Sequence, residues 1–165
     1  MKEILREKLA NLKLFALDVD GVLTDGSLYY SDNGNESKAF NVKDGLGLVR
    51  ILDAGIEVAI ISARDSLMVE KRAKELGITR VKQGVEKKSE VFSNLCIELD
   101  LSHSECAYMG DDLPDLDTMK LAGVGLAVSD AAPEILEVAD WTSRNPGGKG
   151  AVREACDMIL QSINS

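Results

Sequence analysis

Leu14-Phe15-Ala16-Leu17-Asp18-Val19-Asp20-Gly21-Val22-Leu23-Thr24-Asp25-Gly26 is the stretch on which the reading of this chain turns. Four consecutive apolar residues without polar alternation predict a strand buried on both faces, as in a parallel sheet. Asp18 and Asp20 follow where that strand leaves the core. Two carboxylates so close repel unless a cation or a shared proton offsets them. The pair therefore points to chemistry at a strand end.

The same pattern repeats along the chain. Strand-like runs are predicted at Glu57–Ile61, Arg80–Lys82, Cys106–Met109 and Gly125–Val128, with a short edge strand within Ala139–Thr142. Helical patterns separate them at Leu46–Ala54, Ser66–Leu76, Lys87–Leu99, Leu113–Leu121 and Pro133–Val138, and a last helix covers Ala151–Ser162. Alternating strands and helices predict an α/β fold with a doubly wound, mainly parallel, Rossmann-like sheet. One segment departs from the alternation. Gly26–Val42 holds two short apolar-alternating stretches around Asn33-Gly34, the signal of a β-hairpin. Its Leu28, Tyr30, Phe40 and Val42 require a partner surface, either the chain's own core or another subunit. The 165 residues read as one domain over 1–165, with the hairpin inserted at about 26–42.

Ligands bind beyond the carboxyl ends of such strands, and four strand ends carry suitable groups. They are Asp18 and Asp20; Ser62, followed by Ala63-Arg64-Asp65; Lys88; and Gly110-Asp111-Asp112-Leu113-Pro114-Asp115. Together they suit a phosphoryl group. Asp18 can attack phosphorus to give an aspartyl phosphate. Asp20 can protonate the leaving oxygen and then activate water. Asp18, Asp111 and the backbone carbonyl of Asp20 offer hard oxygens for Mg²⁺. Ser62 can hydrogen-bond a phosphate oxygen and Lys88 can neutralise charge in the transition state. Asp112 and Asp115 would orient the metal's waters and Lys88. Lys149, in Gly147-Gly148-Lys149-Gly150 ahead of the last helix, can face an anion together with backbone N–H groups, or lie in an ordinary loop.

Bulk properties narrow the field. A net charge of −9 argues against nucleic acid. No apolar run approaches a membrane span, and Met1–Lys8 reads as a charged helix rather than a signal peptide. Cys96, Cys106 and Cys156, scattered and without a CxxC pair, read as buried thiols in a reducing cytoplasm. His103 is the sole histidine and falls in a polar, loop-like stretch, which removes any His-based triad.

With these residues in order, the chain resembles the haloacid dehalogenase superfamily of phosphohydrolases over nearly its whole length. The order DxDGVxTDG, strand-end Ser, Lys and GDDxxD carries the likeness, and the short spacers resemble the subgroup without a cap domain. Phe40–Gly47, Ser62–Ser66 and Gly147–Glu154 are similar to 3-deoxy-D-manno-octulosonate 8-phosphate (KDO 8-phosphate) phosphatases of lipopolysaccharide sugar synthesis. The resemblance implies a magnesium-dependent phosphoric monoester hydrolase acting on a sugar-acid phosphate. It also implies a homotetramer whose hairpins form a central barrel, with active sites closed by a neighbouring chain. Asn41, Lys43, Arg64 and Lys149 are its candidate substrate contacts. Arg64 can pair with a sugar-acid carboxylate, or with Asp65 or Glu70. Phosphatases of 2-keto-3-deoxynonulosonate 9-phosphate (KDN 9-phosphate), or of a related acylneuraminate 9-phosphate, tend to carry Glu at that place and are the alternative. The chain reaches only Ser165, where many members of the family carry a longer tail. A receiver-like phosphoacceptor module is a non-enzymatic alternative; receivers take their acidic groups from different strands and place Lys last, unlike Asp18, Asp20 and Lys88 here.

Overall fold

The computed structural model describes residues 3–163. Met1 and Lys2 of the expected amino-terminal helix lie outside the described residues, as does Ser165. The helix α1 runs Glu3–Ala10 and β1 runs Leu14–Leu17, every residue of the strand buried. A small antiparallel pair follows, β2 (Tyr29–Tyr30) and β3 (Glu36–Ser37). Then come α2 (Val42–Asp53), β4 (Glu57–Ile61), α3 (Leu67–Leu76), β5 (Arg80–Lys82) and α4 (Lys88–Glu98). The remainder is β6 (Cys106–Gly110), α5 (Leu116–Leu121), β7 (Val124–Ala127), α6 (Pro133–Val138), β8 (Trp141–Thr142) and α7 (Ala151–Ile163).

Six strands form one sheet in the order β5-β4-β1-β6-β7-β8, with every pairing parallel. The expected doubly wound architecture is thus the observed one. The register explains why the functional groups meet: Leu17 pairs with Ile60 on one side and Met109 on the other. The residues just beyond these positions therefore leave the sheet at one level, at its carboxyl edge. Helices α1, α2, α3 and α7 pack among themselves, as do α4, α5 and α6, so the sheet is flanked on both sides. The core is one cluster of aliphatic side chains with Phe15, Phe92 and Tyr108. Among the described residues, no helix is long and apolar enough to cross a membrane.

Several local expectations need correction. The second helix begins at Val42, a turn before the predicted Leu46, because the Asn41 side chain accepts hydrogen bonds from Lys43 N (2.8 Å) and Asp44 N (3.4 Å) and caps it. Val42 is therefore helical and 77% exposed, outside the hairpin. Within 26–42 only the two-residue strands pair, around Ser31, whose N–H donates to Asn35 O at 2.9 Å. Leu28, Tyr29 and Tyr30 remain exposed, whereas Phe40 packs against the core. His103 lies in a 3-10 turn, with its ring stacked on Phe92 at 5.8 Å. All three cysteines are buried and free.

Asp44 supplies a structural device that the sequence reading lacked. It is 1% exposed, and its carboxylate accepts from Gly150 N (3.3 Å) and Arg153 N (2.8 Å) at the start of α7. One acid of α2 thus satisfies the open N–H groups of another helix and pins the two together. Burial raises its carboxyl above the usual range, with those two backbone bonds opposing the shift. Asp44→Ala leaves these donors buried without a partner and is expected to cost roughly 2 kcal/mol in urea unfolding. An unchanged midpoint would show the cap to be dispensable.

Candidate active site

The site grows from the ends of β1, β4 and β6. Beyond Leu17, the N–H of Asp18 still pairs with Met109 O at 3.0 Å, so the strand holds this residue firmly in line. The following loop folds back on Val19 O, which accepts from Val22, Leu23 and Thr24 N–H groups. Buried Thr24 accepts through Oγ1 from Gly21 N (3.3 Å) and Gly26 N (3.2 Å), closing the loop. Gly21 has φ +90°, and a Cβ there would collide with the Asp111 carboxylate. The backbone at Gly21 and Asp111 can touch only because that position carries no side chain.

Asp18, Asp20, Ser62, Ala63, Arg64, Lys88, Asp111, Asp112 and Pro114 line one cleft of about 250 Å³. Lys88 is central: its Nζ lies 2.8 Å from Asp18 Oδ2 and 2.7 Å from Asp115 Oδ1, with the side chain almost wholly buried. Burial pushes the ammonium down, but the two carboxylates outweigh it and hold it above the ordinary lysine range. Ser62 is buried at the end of β4, where its N–H donates to Lys82 O at 2.9 Å. Its Oγ accepts from Arg64 N at 3.3 Å, which leaves the hydroxyl proton to donate.

The carboxylates are loaded against one another. Oxygens of Asp18, Asp111 and Asp115 lie within 4.8 Å of one another. Asp115 is fully engaged: Oδ1 accepts from Lys88 and from Tyr108 Oη (2.7 Å), and Oδ2 accepts from Asp111 N (3.0 Å) and Asp112 N (3.4 Å). It therefore anchors Lys88 and the β6 turn. Asp111 Oδ1, by contrast, is buried without a hydrogen-bond partner. Burial, then repulsion from Asp18 and Asp115, raises the Asp111 carboxyl to about 8. Burial, then Asp115, raises Asp18 to about 7, although Lys88 and the Val19 N–H oppose this. An orphaned buried oxygen between like charges is what a divalent cation satisfies, and the all-oxygen donor set suits magnesium.

Comparison with known proteins agrees with this geometry. A family model of haloacid dehalogenase-like hydrolases matches residues 81–154. The chain is 48% identical over 153 residues to the 3-deoxy-D-manno-octulosonate 8-phosphate phosphatase KdsC of Escherichia coli K12, covering 93% of this chain and 81% of that one. The chain belongs to this phosphatase family. A crystal structure of the Moraxella catarrhalis 3-deoxy-D-manno-octulosonate 8-phosphate phosphatase with magnesium, phosphate and KDO superposes at TM-score 0.97, with 46% identity, over 99% of this chain and 94% of that one. A cobalt-bound deoxy-D-mannose-octulosonate 8-phosphate phosphatase from Haemophilus influenzae gives 0.92 with 41% identity, over 95% of this chain and 92% of that one.

The phosphatase also places some candidates away from the cleft. The Asn41 oxygen is spent on capping α2, and exposed Lys43 lies outside the cleft lining. Lys149 faces Asp25 at 3.7 Å. The anions met by the Gly147–Gly150 loop are the protein's own: Asp130 accepts from Gly147 N at 2.9 Å and Asp44 from Gly150 N. Asp112 lines the cleft, yet its Oδ1 accepts from Leu113 N at 2.8 Å and caps a 3-10 turn. Arg64 pairs with neither Asp65 nor Glu70. Its Nη2 meets Glu36 Oε1 at 3.0 Å and Tyr30 Oη at 3.2 Å, both on the hairpin.

A functional neighbour that sequence reasoning missed is Lys38. Its Nζ contacts Asp20 Oδ1 directly and lies 3.4 Å from Glu36 Oε1. Burial opposes ionisation of Glu36, but Arg64 and Lys38 together hold its carboxyl below the ordinary range.

Proposed function

We infer that this chain is a magnesium-dependent phosphatase that hydrolyses KDO 8-phosphate to the free sugar acid and phosphate. The observation that carries the reading is the Asp18, Asp111 and Lys88 cluster, with an unsatisfied carboxylate oxygen at its centre. The 48% identity to KdsC and the KDO-bound relative supply the substrate.

In this reading Asp18 is the nucleophile. Its Oδ1 is fixed by the Val19 N–H at 2.7 Å and its Oδ2 by Lys88, so the carboxylate is aimed before substrate arrives. Ser62 donates its free proton to a phosphate oxygen while Lys88 neutralises growing charge. Asp18 bonds to phosphorus as the bond to the sugar oxygen breaks, and Asp20 delivers a proton to that oxygen. Asp20, now a carboxylate, takes a proton from the water that hydrolyses the aspartyl phosphate. Asp18, Asp111 and the backbone carbonyl of Asp20 would hold magnesium, which would supply Lewis-acid stabilisation of phosphate and screen the two carboxylates. Arg64 remains the candidate partner of the sugar-acid carboxylate, in competition with Glu36.

The chain works as one phosphohydrolase domain, and four copies assemble through the hairpin. Exposed Leu28, Tyr29 and Tyr30, on a ribbon too small to be stable alone, support that assembly. A cytoplasmic location fits Cys96 and Cys106, unbridged with their sulfurs 3.5 Å apart.

Phosphate release from KDO 8-phosphate and KDN 9-phosphate, with and without a chelator, tests the reading. The octulosonate phosphate should be preferred at least about tenfold in kcat/KM, with turnover lost to chelator and restored by magnesium. Preference for KDN 9-phosphate would move the substrate assignment, and chelator-resistant turnover would remove the metal. Light scattering of the active protein should give the mass of four chains.

A further inference from the structure

The Asp20 carboxylate has no partner in the Asp18, Asp111 and Lys88 cluster. It is held instead from the hairpin. Lys38 leaves that exposed ribbon between Ser37 and Ala39, yet its side chain is 1% exposed and its ammonium sits on Asp20 Oδ1. Glu36 Oε1 backs it at 3.4 Å and also accepts from Arg64 Nη2 at 3.0 Å. Arg64 Nε closes the ring at 3.8 Å from Asp20 Oδ2, beyond hydrogen-bond reach. Among the described residues, Lys38 is the only base in direct contact with Asp20. A buried ammonium is costly unless paired, and both of its partners here are carboxylates.

We propose that Lys38 is a positioning residue for Asp20, so that the hairpin forms part of the catalytic apparatus as well as the assembly surface. The inference rests on the reading of Asp20 as the acid. An aspartate on a loop has free side-chain torsions, and one buried ion pair selects the orientation that reaches the leaving oxygen. The step served is the first: a bond forms from Asp18 to phosphorus, the bond from phosphorus to the sugar oxygen breaks, and the proton that Asp20 in its acid form carries on Oδ2, with Oδ1 still accepting from Lys38, goes to that oxygen. Lys38 itself transfers nothing.

The test exploits leaving groups. p-Nitrophenolate departs without a proton, whereas the sugar alkoxide requires one. kcat/KM reports only the steps through formation of the aspartyl phosphate, so later hydrolysis does not enter. With the full chain and saturating magnesium, Lys38→Met should lower kcat/KM for KDO 8-phosphate by about 30-fold or more. For p-nitrophenyl phosphate the fall should stay within about threefold, with inhibition by free KDO unchanged. Lys38→Arg should recover part of the loss. Glu36→Gln, which keeps Lys38 but loosens it, should shift the same ratio in the same direction by a smaller factor, and covers the case in which Lys38→Met fails to fold. Asp20→Asn is the reference and should discriminate between the substrates most strongly. Equal losses on both substrates, or weaker inhibition by KDO, would overturn the role of Lys38, the latter by making it a sugar ligand. If Asp20→Asn itself fails to discriminate, the reading of Asp20 as acid falls and the role of Lys38 falls with it.

Discussion

Asp18→Asn is expected to lower phosphate release by at least about 10³-fold while the circular dichroism spectrum and the assembled mass stay unchanged. The loss is large because nothing else can take over. Asp111 is packed against the Gly21 backbone, and Asp115 spends both oxygens on four donors. The fold survives because an amide keeps an oxygen for the Val19 N–H, and Lys88 keeps Asp115 at 2.7 Å. The substitution also removes one of the carboxylates that repel one another around the orphaned Asp111 oxygen, so stability without metal should hold or rise. Substantial residual turnover would remove Asp18 as the nucleophile.

Metal-free protein should lose stability as pH rises from about 4 to about 8, and magnesium should restore it most at the upper end. Asp18 and Asp111 titrate at about 7 and about 8 in the folded chain, against 3.8 for the ordinary group. Between those values the folded chain holds protons that the unfolded chain has lost, so stability falls with increasing pH and levels off above about 8. Protonation neutralises the repelling carboxylates at low pH; at high pH only a cation can. Saturating magnesium should therefore raise Tm by about 5–10 °C at pH 8.5. The gain should shrink to a small fraction of that at pH 5.5. Scanning calorimetry in chelator and in magnesium measures both curves. A magnesium gain independent of pH would place the ion away from these two carboxylates.

The parts of this molecule that sequence reveals are those where local pattern and global role coincide. Leu14–Leu17 is apolar throughout because both faces of β1 are covered, and the polar groups that follow each strand mark where cover ends. Parallel pairing then brings Asp18, Ser62 and Asp111 to one edge without further information. Failures occur where a side chain's partner is distant. Lys38 lies in a polar hairpin and looks solvated, and only the folded ribbon turns it inward onto Asp20. Asp44 looks like an ordinary acid in a first helical turn, but it serves a helix more than 100 residues away, |i−j| being 106 to Gly150. The early start of α2 was available in principle. Asn41 two and three residues ahead of the N–H groups it accepts from is a capping signal, outweighed in the reading by the apparent alternation of Phe40 and Val42.

The Gly147–Gly150 loop has a bearing on how the enzyme comes into being. A Cβ at Gly147 would strike the carbonyl oxygen of Gly21, and Gly148 N–H donates to Val22 O at 2.9 Å. The loop that carries Asp20 is thus backed by residues synthesised more than 120 positions later. A ribosome that has delivered residues 1–115 has released every acid of the cluster and the turn's own hydrogen bonds, but not the Gly147–Gly148 backing of the turn between Asp18 and Thr24. Final packing of the turn that carries Asp20 therefore waits for residues 147–148, long after the acids themselves are made.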